Sequence, residues 1–154
     1  QFFPDLAAGL SEMRRVLVPG GRAVVSTWRG LDEQPLMALV DGVVSKHIAE
    51  GAFEAGFKLA HDEVFAQLAR DSGFAEATVE VATIDLSIAE PEKFMPVMMM
   101  GAAAVLPQFA SLSAEERSAK IGQMMPDLLA AIEPHIVSGN LIIKSATNVL
   151  VASA

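Results

Sequence analysis

The stretch Gln1–Trp28 reads QFFPDLAAGLSEMRRVLVPGGRAVVSTW, and its punctuation decides the fold. Pro4 suits the first turn of a helix, where the amide it lacks would have no intrahelical partner. Leu6, Leu10, Met13, Val16 and Leu17 then recur at helical spacing up to Pro19-Gly20-Gly21, which ends the helix. Asp5 stands before that helix, a position that suits stabilising its N-terminus better than serving as a base. Directly after the glycines, Arg22 to Trp28 is short and β-prone. Its Ala23-Val24-Val25 centre is apolar without alternation, which predicts a strand covered on both faces. Helix, glycine turn and buried strand make half of an α/β unit, and an apolar strand is expected to precede it.

Working outward, a helix is expected from Gln34 to Glu50 through Leu36, Leu39, Val40, Val43, Val44 and Ile48, followed by a loop over Gly51–Gly56. Asp62-Glu63 opens another helix, with Val64, Phe65 and Leu68 on one face, that ends at Gly73, and Phe74 is placed to pack back on that cap. β-branched residues predict a strand from about Thr78 to Ile88. Residues 91–138 form a helical, Ala- and Met-rich insert, broken near Pro107–Ser113, where Ser113 and Glu116 have the spacing of a capping box. Gly139-Asn140 turns the chain into a final strand, Leu141 to Ala152. With no repeat or flexible linker, residues 1–154 read as one domain carrying the 91–138 insert as a lid.

Composition excludes several functions. A net charge of −8, with 11 Lys and Arg residues scattered along the chain, argues against nucleic acid as a partner. The absence of cysteine rules out disulfides, thiolate metal sites and a cysteine nucleophile, and fits a cytoplasmic protein. Phe94–Leu112 is apolar but interrupted by Pro96, Pro107 and Gln108, so it reads as a helix outside the membrane. His47, His61 and His135 lack the spacing of metal ligands, and no metal is expected.

Glu12, Arg15, Val16, Leu17, Pro19, Gly20, Gly21 and Arg22 follow, in order, the E-x-x-R-V-L-x-P-G-G-R pattern that leads into the fifth sheet strand of class I S-adenosylmethionine-dependent methyltransferases. The remaining layout of helical insert, helix ending in Ser72-Gly73-Phe74, strand, long insert and last strand resembles the small-molecule, quinone-biosynthesis-like branch of that family. The resemblance implies an α/β fold: a partial Rossmann-like sheet of strands 5, 6 and 7, the last antiparallel and inserted between the other two, with helical inserts. It covers the C-terminal half only. The family's glycine-rich cofactor loop and the acidic residue that holds the ribose have no counterpart here, since Gly20-Gly21 follow a helix and precede a strand. S-adenosylmethionine is therefore the cofactor of the full-length family, and this chain alone is expected to bind none and to be inactive.

In the family, residues after strand four lie beside the sulfonium, which implies a cofactor-side role for Gln1, Phe2 and Phe3; the alternative is that the two rings staple the helix start. Trp28 and Arg29 follow at the end of a sheet strand, where open α/β sheets bind ligands, and are the candidate contacts to a small-molecule acceptor. A large aromatic there also serves to cover the core. No catalytic base is assigned. The methionines Met95, Met98, Met99, Met100, Met124 and Met125 read as adaptable core filler, with an apolar acceptor pocket as the alternative. Two alternatives compete with this reading. Strand Arg22–Trp28 exposes an edge that invites a second copy, which predicts a noncatalytic, homo-oligomeric module. A nicotinamide dehydrogenase is disfavoured because G-x-G-x-x-G is missing.

Overall fold

The computed structural model describes residues 1–154, with the side chains of Glu54 and Ala55 set aside. It is a mixed α/β architecture with a four-strand antiparallel sheet and six α-helices. In chain order these are α1 (Leu6–Val16), β1 (Arg22–Trp28), α2 (Pro35–His47), α3 (Asp62–Asp71), β2 (Glu76–Ala89), α4 (Pro91–Ala103), α5 (Pro107–Ala110), α6 (Ala114–Ile132), β3 (Ile136–Val137) and β4 (Asn140–Ser153). The sheet order is β1-β4-β2, with the short β3 beside β4. The last strand thus lies between the two long strands that precede it, and it runs antiparallel to β1.

The chain forms two compact units. The first comprises Gln1–Glu33, Ala55–Thr83 and Ala146–Ala154. Its elements end where the side chains dictate. Asp5 caps α1 by accepting a 2.9 Å hydrogen bond from the Ala8 amide. Gly73, at φ 95°, closes α3 while its amide donates to Arg70 O and the Phe74 amide donates to Ala69 O. That pair of bonds is a Schellman cap, and Phe74 is buried beneath it. Leu10 of α1, Phe65 and Ala69 of α3, Ala77 of β2 and Leu150 and Ala152 of β4 close one core, against which Ala23 and Val25 of β1 pack.

The expectation that β1 is covered on both faces is corrected. Burial alternates along it: Ala23, Val25 and Thr27 turn inward, whereas Arg22 and Ser26 are exposed and Val24 is 68% exposed. An apolar residue on the open side made a one-faced strand read as a two-faced one.

The parity of the β1–β4 ladder follows from its two ends. Arg29 N–H donates to Ala146 O and Ala154 N–H donates to Gly21 O, and the register pairs Val25 with Leu150. Odd-numbered residues of β1 therefore bond to β4, and the backbone groups of Arg22, Val24, Ser26 and Trp28 point away from it.

The second unit comprises Gln34–Glu54 and Ile84–Ser145, and in it α2, α4 and α6 pack against one another. Met95, Met99 and Met124 are fully buried, as the core-filling reading expects. Ser113 and Glu116 form the capping box at the start of α6. The final turn differs by one residue from the expected Gly139-Asn140. Ser138 and Gly139, both at positive φ, link β3 to β4 as a two-residue hairpin. Because asparagine tolerates this backbone better than serine, Ser138→Asn raises the thermal unfolding midpoint by an amount corresponding to about 0.5 kcal/mol. An unchanged or lower midpoint would contradict that turn.

Candidate functional site

The end of β1 gathers most of the residues singled out from the sequence. Gln1 Oε1 accepts a 2.9 Å hydrogen bond from the Trp28 amide, one of the donors that point away from β4. The Phe2 ring meets Trp28 edge-on at 5.4 Å, and Phe57 lies 6.1 Å from it on a tilt. Gly56 permits this closeness, because a Cβ there would stand 3.0 Å from the indole. Phe2 remains 67% exposed, so the cluster presents an accessible aromatic wall. Phe3 does not join it; its ring lies over Gly9 of α1, at the helix start.

Arg29 turns to a polar network. Its Nε donates to Glu33 Oε1 at 2.6 Å and its Nη1 donates to Asn148 Oδ1 at 2.7 Å. Asn148, opposite Thr27 on β4, is wholly buried, and its Nδ2 donates to Leu59 O at 3.0 Å and Ala60 O at 2.8 Å. Both ends of the amide are thus used. The guanidinium charge is balanced by Glu33. Arg29 clamps the end of β1 to the 59–60 backbone through Asn148, and this clamp holds Trp28 in place.

Gln1, Phe2, Trp28 and Arg29 therefore converge, while Phe3 stands apart. Sequence reasoning missed Phe57, Glu33 and Asn148. Glu33 had a signal in its i+4 spacing from Arg29, and Asn148 in being a polar residue at an inward position of an apolar strand. A different cavity in the first unit, of about 1060 Å³, is lined by α3, the start of β2, Leu6 and residues 58–59, and none of the five sequence candidates forms its wall.

The cluster fits only part of the cofactor that the resemblance implies. Rings can flank an apolar or cationic group, but a ribose or amino-acid head needs a free carboxylate or a cradle of amides. Asp5 and Glu33 are both engaged and the Trp28 amide is taken by Gln1.

No known family's sequence profile matches the chain, and no curated protein matches it. Among solved structures, the chain is similar to a protein of Bacillus halodurans C-125 provisionally described as a methyltransferase, at 11% identity and a TM-score of 0.46. The match covers 99% of this chain and 64% of that one, so the chain spans less than two thirds of its neighbour's length.

Among the described residues no three His, Asp or Glu side chains converge as metal ligands, and no helix is long and apolar enough to cross a membrane. Titratable groups do meet in the second unit. Asp127 Oδ2 accepts from Lys46 Nζ at 2.6 Å and lies 2.8 Å from His47 Nε2. The Lys46 hydrogen bond first, then that of His47, hold the Asp127 carboxyl below its ordinary value of 3.8. A depressed folded-state pKa contributes stability that is present above the ordinary value and lost as pH falls through the lowered one. Asp127→Asn should therefore flatten the acid limb of a stability-versus-pH curve below about pH 4. An acid limb unchanged by the substitution would contradict this assignment.

Proposed function

We propose that this chain carries the C-terminal portion of an S-adenosylmethionine-dependent methyltransferase acting on a small, apolar acceptor in the cytoplasm. The observation that carries the reading is the place of β4. After the Glu12–Arg22 signature leads into β1, the last strand returns antiparallel to it, between β1 and β2, as the resemblance leads one to expect.

When bound, the cofactor supplies an electrophilic methyl group, and the protein's part is to orient the acceptor and exclude water. The Phe2, Trp28 and Phe57 rings would provide the apolar wall for that orientation, and the Arg29–Asn148 clamp would fix its geometry. The outward backbone groups of β1 would pair with a further strand of the same sheet. Residues 1–154 alone should then be inactive and bind S-adenosylmethionine poorly. Trp28, the sole tryptophan, reports on the site: its fluorescence should stay unchanged on adding micromolar cofactor to this chain, and a saturable change would sink the claim that most of the cofactor site is missing.

The exposed edge also favours a second reading, a noncatalytic module that self-associates through β1. Val24→Lys puts a charge on that edge without touching the inward face. On this second reading light scattering finds a dimer or larger assembly at micromolar concentration, and the substitution returns it to monomer. A native chain that is already monomeric removes the reading.

A further inference from the structure

We propose that a cavity in the second unit, at the C-terminal end of α2, binds a small organic anion with an apolar body. The cavity, of about 300 Å³, is lined by His47, Ile48, Gln108, Phe109, Leu112 and Lys120. Its volume lies at the lower end of the ~300–1,000 Å³ range of small-molecule sites, and its lining is divided between three apolar side chains, Ile48, Phe109 and Leu112, and three polar ones, His47, Gln108 and Lys120.

The polar groups indicate which ligand. Lys120 is partly buried, and among the described residues no carboxylate or carbonyl engages it. The other Lys and Arg side chains without a partner, Arg22, Lys58 and Lys144, are exposed to solvent, where an unpaired charge costs little. Asp127, two turns further along α6 and about 10 Å away by helix rise, is committed to Lys46 and His47. Glu116, one turn before Lys120, is committed to the Ser113 cap. Arg117 lies over the Phe109 ring, 5.9 Å from its centroid, and adds a second positive charge beside the cavity. In a chain of net charge −8 this is a local positive spot backed by an apolar floor. A carboxylate on Lys120, with its aryl or alkyl part against Ile48, Phe109 and Leu112, satisfies both; the Gln108 amide is placed to orient it.

The test titrates the full chain with benzoate, and with benzyl alcohol as its neutral counterpart, following backbone amide shifts by NMR. Benzoate should give saturable shifts at Ile48, Phe109, Leu112 and Lys120, with benzyl alcohol about tenfold weaker. Lys120→Gln should bring benzoate down to the level of the alcohol, Lys120→Arg should restore most of the difference, and Lys93→Gln, on α4, should change nothing. Equal affinities for acid and alcohol, shifts elsewhere, or a Lys120→Gln variant that still prefers benzoate would overturn the proposal.

Discussion

Replacing Asn148 by leucine lowers the free energy of unfolding by about 3–5 kcal/mol, the largest effect expected of any polar position in the first unit. The side chains are close in size, so the loss is not a cavity. The substitution leaves the buried Ala60 carbonyl without its donor, the Leu59 carbonyl with only the Thr27 hydroxyl at 3.4 Å, and the part-buried Arg29 without its amide acceptor. Each orphaned buried group costs about 1–3 kcal/mol. Arg29→Met should cost less, because Glu33 is partly exposed and solvent can take over its charge. Urea unfolding followed by Trp28 fluorescence measures both. An Asn148→Leu variant as stable as the parent would mean that the clamp does not hold the end of β1.

Phe65→Ala costs a similar amount, about 3–5 kcal/mol, by a different route. Phe65 is fully buried where α1, α3, β2 and β4 converge, among Leu10, Phe74, Ala77 and Leu150. Truncation removes its transfer energy and leaves a cavity, and alanines at 69, 77 and 152 offer no long side chain to refill it. Phe65→Leu, which keeps most of the volume, should recover more than half of the loss in the same urea experiment. A Phe65→Ala loss under about 1 kcal/mol would place the core of this unit elsewhere.

Much of the fold was legible because its boundaries rest on local chemistry. Asp5, Gly73 with Phe74, and Ser113 with Glu116 act within a few residues of themselves, and each sits in the structure where the spacing predicted. The limits of β1 were legible for the same reason, set by Gly20-Gly21 at one end. Its open face was not. Three consecutive apolar residues look the same whether a strand is covered twice or once, and only the alternation of burial around Val24 separates the cases. The hairpin turn shifted by one residue because Ser138, a poor choice for positive φ, hid behind Gly139.

The site was legible in part. Gln1 and Phe2 were implied by the family resemblance, and Trp28 and Arg29 by their position at a strand end, which is a local feature. Asn148 was not, because its partners are remote in sequence: Arg29 is 119 residues away and the carbonyls of 59 and 60 are 89 and 88 away. Pairing over such distances is decided by the sheet register, which no window of sequence contains.

The proposal that these residues form the acceptor side of a methyltransferase and do not themselves hold a complete cofactor site is tested most directly by calorimetry. S-adenosylmethionine is titrated into residues 1–154 at micromolar concentration. No saturable heat is expected. Tight, saturable binding would contradict the proposal.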